Sequence, residues 1–233
     1  MEIKIIHTSD LHGHLNPEKM EKIKTLKKDL LLDSGDAIKS GNISFNVFGE
    51  SAHVLMNQAG YSAGCVGNRE YHFSKYGMKA KSMLANFPML SLNLYSKTGK
   101  YFTKPFVEFN VHGYKILVFG LSNTNISSNM KVAKIAHQYQ TDPIDSAKDF
   151  LDNIKKEDYD LIIALTHTGL KSDRKLAEAI SAIDIILGGH SHDLCHEIIN
   201  KTHIIHSGVF GEICSDIKID TNTKKVLVTK IKI

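Results

Sequence analysis

Short apolar runs with the pattern of buried strands alternate along this sequence with segments that have the period of amphipathic helices. Such an alternation predicts an α/β protein, because helices must cover the apolar faces of a sheet. Two pairs of consecutive strand patterns, centred on the tetrapeptides HGYK and TNTK, predict hairpins. We therefore expect mixed sheets, in which parallel and antiparallel strand pairs both occur.

The predicted elements cover most of the chain. Strand patterns occur at residues 3–7, 29–33, 65–66, 89–92, 106–110, 115–120, 161–166, 183–187, 203–206, 213–219 and 226–231. Helix patterns occur at residues 18–28, 47–58, 76–86, 142–156 and 173–181. Asp142, followed by a proline, predicts the start of the fourth helix, and Gly60 predicts the end of the second. The polar stretch 123–140 is expected to be a surface loop.

The composition is that of an ordinary globular protein, with 42% hydrophobic and 23% charged residues among 233. We expect one domain, residues 1–233, whose core needs no disulfide bonds. The three cysteines are widely spaced and odd in number, which predicts a reducing, cytoplasmic location, and the first residues read as a strand rather than a signal peptide. The net charge of +4 comes from scattered lysines, so no nucleic-acid partner is predicted. No apolar stretch approaches the roughly 20 residues of a membrane span, so no membrane partner is predicted either.

Four clusters of polar residues lie at the ends of predicted strands or just after them. In the first cluster, Asp10 and His12 are two residues apart, so on an extended backbone both side chains point to the same side. An oxygen and a nitrogen ligand placed in this way can hold a divalent ion. Taken alone, a helix-capping aspartate beside an exposed histidine explains the pair more simply.

The other clusters add five candidates. Asp36 follows an apolar strand and, taken alone, reads as a turn-forming residue, whereas Asn68 offers a neutral oxygen ligand. His167 follows a strongly apolar strand. His190 and His192 follow another such strand after two glycines, where a purely structural histidine pair has little reason to stand. This last pair favours metal binding or catalysis.

Considered together, seven candidate ligands at the ends of five strands should converge, because sites in α/β folds form outside the carboxyl ends of strands. Seven ligands suffice for two ions that share one carboxylate. Their histidine-rich nitrogen and oxygen set favours Mn, Fe, Zn, Co or Ni over Mg alone. Two such ions carry +4, of which Asp10 and Asp36 offset two, and the remainder favours a hydroxide and an anionic phosphate. The pattern predicts a two-ion site that acts on phosphate esters.

The sequence resembles the calcineurin-like metallophosphoesterases in five ordered motifs, which are Asp10-x-His12, Gly35-Asp36, Gly67-Asn68, His167 and Gly189-His190-x-His192. The segments SDLHGHL, LLLDSGDA and ILGGHSH narrow the resemblance to the 5′-nucleotidase branch of that family. The resemblance extends from about residue 3 to residue 219. It implies a four-layer α/β/β/α fold, in which helices flank a double β-sheet sandwich and the metal ions lie at the strand ends.

Carried over by motif position, the resemblance implies that the first ion is held by Asp10, His12, Asp36 and His192. It implies that the second ion is held by Asp36, Asn68, His167 and His190. The implied function is hydrolysis of small phosphate monoesters, above all nucleotides, by attack of a metal-bound hydroxide on phosphorus. Two alternatives stay open: a phosphodiesterase acting on cyclic nucleotides or nucleotide conjugates, and a non-catalytic module that binds metal and phosphate.

The sequence departs from the resembled family in two respects. The 5′-nucleotidases of the family continue into a C-terminal domain that supplies the nucleoside pocket, and we expect no such nucleotide-specificity domain here. An exposed site would then be open to a partner subunit in an oligomer. The family motif Gly-Asn-His-Glu-Phe-Asp also differs, because its substrate-contacting histidine is replaced by Arg69 and the aspartate that orients that histidine is replaced by His72.

Arginine stays protonated in proteins, so Arg69 is expected to donate hydrogen bonds to phosphoryl oxygens rather than to act as a general acid. The leaving group would then be protonated by His72 or by water, or need no proton. The alternative is an Arg69 that turns outward to pair with Glu70 or another acid. His14 and Asn93 are further candidates for contact with the substrate.

Overall fold

A computed structural model gives the structure of the protein and describes residues 1–126 and 130–233. Its strands are β1 (Glu2–Thr8), β2 (Leu30–Asp33), β3 (Ala63–Cys65), β4 (Met89–Leu90), β5 (Leu94–Ser96), β6 (Phe106–Val111), β7 (Tyr114–Ser122), β8 (Gln138–Gln140), β9 (Leu161–His167), β10 (Ile185–Gly188), β11 (Leu194–Ile199), β12 (Thr202–Ser207), β13 (Ile213–Asp220) and β14 (Val226–Lys232). Its α-helices are α1 (Pro17–Thr25), α2 (Ser51–Ala59), α3 (Lys75–Ser82), α4 (Pro143–Asp152) and α5 (Leu170–Ala179). Two short 3₁₀ helices span Lys131–Lys134 and Lys156–Asp158.

Two six-stranded sheets form the centre of the molecule. The first has the strand order β14-β13-β1-β2-β3-β4 and the second has the order β11-β12-β10-β9-β7-β6. In the first sheet β1, β2, β3 and β4 pair in parallel and β13 is antiparallel to both β1 and β14. In the second sheet β12, β10, β9 and β7 pair in parallel, whereas the outer pairs β11 with β12 and β6 with β7 are antiparallel. The pairs β6 with β7 and β13 with β14 are hairpins. The predicted mixed sheets and both predicted hairpins are confirmed.

The two sheets pack face to face, and helices cover their outer faces. Successive side chains of each strand point to opposite faces of its sheet. Ile5 of β1 and Ile163 of β9 lie in the core between the sheets, whereas Ile6 of β1 lies in the core beneath α1 and α2. The outer face of the second sheet packs against α4 and α5 in the same way. The result is the four-layer α/β/β/α arrangement that the resemblance implied.

The first four helices are shorter than their sequence patterns, whereas α5 begins three residues before its pattern. The second begins at residue 51 rather than 47, because Gly49 has φ +87° and cannot lie in a helix. Gly60 ends that helix in the left-handed region, and Asp142 caps α4 by accepting hydrogen bonds from the main-chain N–H groups of Ile144 and Asp145 at 2.8 and 3.0 Å. Both predicted helix signals are confirmed.

Three strands were not predicted. The exposed and half-buried residues of β11 alternate along an edge strand that carries His196 and Glu197, so its apolar signal is weak. The pair β5 and β8 forms a separate two-stranded sheet, so the predicted loop 123–140 ends in a strand, while residues 127–129 of that loop lie outside the described residues. Within residues 1–126 and 130–233, no helix combines the length and apolar character that a membrane span requires.

Candidate metal centre

Five parallel strands end at the same side of the molecule. These are β1, β2 and β3 of the first sheet and β9 and β10 of the second. A hydrogen bond from His167 Nδ1 to the carbonyl oxygen of Ser34, 2.7 Å long, joins the ends of the two sheets. The seven predicted ligands lie at these ends, and they are Asp10, His12, Asp36, Asn68, His167, His190 and His192.

The four ligands predicted for the second ion lie together. Asn68 Oδ1 is 3.1 Å from His167 Nε2 and 3.0 Å from His190 Nδ1. The same His167 nitrogen is 3.3 Å from Asp36 Oδ1. One amide oxygen, one carboxylate oxygen and two imidazole nitrogens therefore face a common point.

The four ligands predicted for the first ion form a looser group. Asp36 Oδ2 is 3.4 Å from His12 Nε2. Asp10 Oδ1 lies 3.8 Å from the same His12 nitrogen and 3.6 Å from His192 Nε2. The two carboxylate oxygens of Asp36 thus face different groups, Oδ1 the second and Oδ2 the first.

The donor atoms fit divalent metal ions. Two ligands that each lie about 2.1 Å from a tetrahedral ion are about 3.4 Å apart, and the spacings in both groups scatter around that value. His12 Nε2 is buried and has no hydrogen-bond partner among the described residues, which is costly for a polar atom unless a ligand binds there. A metal ion would satisfy this nitrogen.

Five of the predicted ligands have a backbone conformation that L-residues seldom adopt. The φ angles of Asp10, His12, Asp36, His190 and His192 are +51°, +49°, +55°, +79° and +61°. Such strain costs of order 1–3 kcal/mol for each residue and persists where the surrounding structure enforces it, which is typical of functional sites. These residues lie in sharp turns immediately after, or close to, a buried strand. The turns direct their side chains toward the candidate metal centre.

Glu70, which was not predicted as a site residue, fixes the loop that carries Asp36. Its buried carboxylate accepts hydrogen bonds from the main-chain N–H groups of Asp36, Ala37 and Gly67 at 2.8, 2.9 and 3.0 Å, and from that of Ile38 at 3.3 Å. Four donors on one carboxylate bind two loops into a single unit. The motif Gly-Asn-x-Glu contains this residue, but only the folded chain reveals which N–H groups it holds.

The neighbours of the two aspartates set their charge. Burial would raise the pKa of Asp36, but its close contacts with His12 and His167 outweigh burial and hold its pKa below the ordinary range. Burial would lower the pKa of His167, yet its contact with Asp36 raises that pKa to about 9. Burial raises the pKa of Asp10, against the opposing effect of His167. Asp36 is therefore the stable anion of the centre, as a shared ligand must be.

Arg69 lies at the centre and points inward. Its main-chain N–H donates to Asp36 Oδ1 at 2.7 Å, and its Nε is 3.8 Å from Asp36 Oδ2. Its Nη1 donates to the carbonyl oxygen of Lys39 at 3.0 Å. Pairing of Arg69 with Glu70, the alternative drawn from the sequence, is not observed, because the Glu70 carboxylate is occupied by main-chain donors.

The structure does not bring His72 to the two ligand groups. Its buried ring accepts a hydrogen bond at Nδ1 from the main-chain N–H of Ser74 at 3.0 Å and packs between Phe45 and Phe73. Burial lowers its pKa. The same ring nitrogen contacts the hydroxyl of Ser74, which caps the start of α3. These contacts do not support a role for His72 as the acid that protonates the leaving group, which stays a prediction.

Asn93 is also placed differently from the prediction. It is fully buried, its Nδ2 donates to the carbonyl oxygens of Ser122 and Thr141 at 2.9 and 3.0 Å, and its Oδ1 accepts from the main-chain N–H of Ser122 at 2.9 Å. With its amide engaged by the main chain, Asn93 ties β7 to the loop before α4 and is not available for substrate. These contacts do not support substrate binding by Asn93, which stays a prediction.

His14 does lie at the rim of the centre. It is exposed, and its ring is 4.5 Å from that of Phe210, which also contacts His12 at 5.6 Å. No local sequence pattern points to Phe210, since it lies about 200 residues from these histidines. Asn123, another residue not predicted, lies 3.3 Å from His190 Nε2 through its Nδ2.

The fold and the arrangement of this centre define a class of protein. The family model described as calcineurin-like phosphoesterase matches residues 3–194, and the chain belongs to that family. The resemblance drawn from the motifs is therefore confirmed.

The chain is similar in sequence or in fold to several individual proteins. The chain is 33% identical to the protein UshA of Yersinia enterocolitica, over 82% of this chain and 40% of that protein. It is 28% identical to the trifunctional nucleotide phosphoesterase YfkN of Bacillus subtilis, over 98% of this chain and 19% of that protein. The structure of the NAD nucleotidase of Haemophilus influenzae shares the fold, with a TM-score of 0.78 at 22% identity, over 98% of this chain and 55% of that one. The chain thus spans less than half the length of the two relatives that it matches in sequence.

Proposed function

We propose that this chain is a phosphoric ester hydrolase that cleaves nucleotides and related small phosphate monoesters with the help of two divalent metal ions. Its family and its nucleotide phosphoesterase relatives support this class of substrate. The predicted set of Mn, Fe, Zn, Co or Ni is carried forward as the proposed choice of metal.

The position of Asp36 is the observation that carries the proposal. Its two carboxylate oxygens lie 3.3 and 3.4 Å from His167 Nε2 and His12 Nε2, which belong to different ligand groups. A carboxylate shared in this way is what a pair of neighbouring ions requires. When bound, two such ions would polarise the phosphoryl oxygens and offset the charge of the phosphate.

Besides the metal ions, the side chain of Arg69 binds the phosphate. Its guanidinium is partly exposed beside Asp36, and its Nη1 is held by the Lys39 carbonyl, so the remaining N–H groups are available at the mouth of the centre. A planar donor group of this kind binds two phosphoryl oxygens at once. Because arginine cannot give up its proton, Arg69 stabilises negative charge and leaves protonation of the leaving group to solvent, which favours esters with good leaving groups.

The test is a hydrolysis screen with purified protein and Mn²⁺. The substrates are p-nitrophenyl phosphate, its bis-p-nitrophenyl diester and a panel of nucleoside monophosphates. We expect turnover of the monoesters to exceed that of the diester. Asp36→Asn should lower kcat by more than about 100-fold, since the shared ligand supports several kcal/mol of charge stabilisation. The exposed Asp149→Asn on α4 is the matched control and should retain wild-type activity.

Two other outcomes would replace this proposal. Diester turnover above monoester turnover would identify a phosphodiesterase. Absence of turnover on every substrate, with metal bound at full occupancy, would identify a non-catalytic module that binds metal and phosphate. The chain as a single domain, its cytoplasmic location and any partner subunit at the site stay predictions.

A further inference from the structure

Phe210 packs against three histidines at the rim of the metal centre. Its ring centroid is 5.6 Å from that of His12, 6.5 Å from that of His192 and 4.5 Å from that of His14. His12 and His192 are proposed ligands, whereas His14 is exposed and is not among them. Phe210 therefore stands between the metal ligands and the solvent.

The backbone of Phe210 is strained. Its φ angle is +62°, which is uncommon for residues other than glycine and a genuine outlier for a bulky side chain. Two hydrogen bonds enforce this conformation: the Phe210 N–H donates to the carbonyl oxygen of Asp10 at 2.9 Å, and Lys19 Nζ donates to the Phe210 carbonyl at 2.6 Å. A glycine or asparagine would occupy this conformation with less strain, so the aromatic ring itself must have a use.

The use is not burial of apolar surface. Phe210 is 36% exposed, although a phenylalanine that served only the core would be covered. The nearby His14 ring lies at 42° to the Phe210 ring and is also exposed. The two rings form one exposed aromatic surface at the edge of the ligand group of Asp10, His12 and His192, and we call this pair the aromatic ledge.

We propose that the aromatic ledge binds the planar ring of the substrate, either a nucleobase or the aryl group of a phosphate ester. This inference rests on the proposed function, because a substrate whose phosphate lies at the metal centre would place its ring at the ledge. Flat rings stack on aromatic side chains whatever their hydrogen-bonding pattern, so the ledge selects aromatic over alkyl phosphates without selecting one base. Phe210 and His14 are thus specificity-determining residues.

Ligand binding tests the ledge separately from catalysis. The Kd values of adenosine and of inorganic phosphate are measured by calorimetry on the Zn²⁺-loaded protein. The variants are Phe210→Leu, which retains apolar bulk, and His14→Ala. We expect each to raise the Kd of adenosine by about tenfold, as expected for loss of one base–aromatic contact, and to leave the Kd of phosphate unchanged. Tyr101→Ala removes an exposed aromatic side chain outside the centre and should change neither value.

Three results would overturn the proposal. These are failure of the wild-type protein to bind adenosine, binding of adenosine by the variants as tight as by wild type, and equal weakening of adenosine and phosphate binding by Phe210→Leu. The last result would mean that Phe210 acts only by holding His12 and His192. If no ester is hydrolysed but adenosine binding still depends on Phe210 and His14, the proposed function fails while the ledge stands.

Discussion

Arg69 contacts Asp36 twice, through its main-chain N–H, 2.7 Å from Oδ1, and through its side-chain Nε, 3.8 Å from Oδ2. The residue that replaces the histidine of the resembled motif is therefore attached to the proposed shared ligand. Its guanidinium therefore lies beside the carboxylate whose two oxygens face the two ligand groups. The change from histidine to arginine exchanges a group that can transfer a proton for one that only stabilises charge.

Replacing Arg69 tests this exchange. Arg69→Ala should lower kcat for p-nitrophenyl phosphate by about 100-fold, the usual loss when one donor to the developing charge is removed. Arg69→His should introduce a dependence of kcat on an acid with a pKa near that of histidine, which a pH–rate profile would detect. Arg174→Ala, which removes an exposed arginine paired with Glu197 on the surface, is the control. Equal rates for Arg69→Ala and wild type would show that the guanidinium does not contact the substrate.

Glu70→Gln tests the fixation of the Asp36 loop. The amide NH₂ of glutamine is itself a donor and would face main-chain N–H donors. At least one strong hydrogen bond would therefore be lost. We expect the free energy of unfolding to fall by about 3 kcal/mol and the metal affinity to fall by about 10- to 100-fold. Denaturant unfolding and calorimetry provide the two measurements. Unchanged metal affinity would refute the view that Glu70 positions Asp36, and the exposed Glu157→Gln serves as control.

Lys81 is a fully buried lysine that holds the Arg69 loop from beneath. Its Nζ donates to the carbonyl oxygens of Gly41, Arg69 and Tyr71, at 2.8 Å for Gly41 and 3.0 Å for Tyr71. Lys81→Met would leave these carbonyls without a charged donor, and we expect a loss of about 3 kcal/mol in unfolding free energy. The exposed Lys79→Met on the same helix should be nearly neutral. A stable Lys81→Met protein would show that water replaces the ammonium at no cost.

His53 should make stability depend on pH. Burial is the main cause that lowers its pKa from 6.5 to about 4, and nearby Glu50 opposes burial only in part. The ring stays neutral in the folded state but takes up a proton in the unfolded chain. The stability that the neutral ring contributes is therefore complete above pH 6.5 and is lost as the pH falls toward 4. As the pH falls from 7 to 5, the unfolding free energy of His53→Leu should rise by about 2 kcal/mol relative to that of wild type. Parallel stability curves for the two proteins would contradict the assignment.

Structural features that depend on residues close in sequence could be predicted, whereas features that depend on contacts between distant segments could not. Strand ends and the Asp142 cap were accessible because each depends on a local pattern of apolar and polar residues, and the seven proposed ligands lie at those strand ends. Glu70 and Phe210 were not accessible, because their contacts are with main-chain groups of other loops. The sequence could not show the contacts of Asn93 and His72 either, because their partners at Thr141, Ser122 and Phe45 become neighbours only in the folded chain.

The metal content of the purified protein tests the central claim most directly. Elemental analysis after saturation with Zn²⁺ and removal of free metal should give two ions per chain. His190→Ala, which alters only the second ligand group, should retain about one. A wild-type content of one ion or none, or a His190→Ala content equal to that of wild type, would contradict a pair of ions that share Asp36.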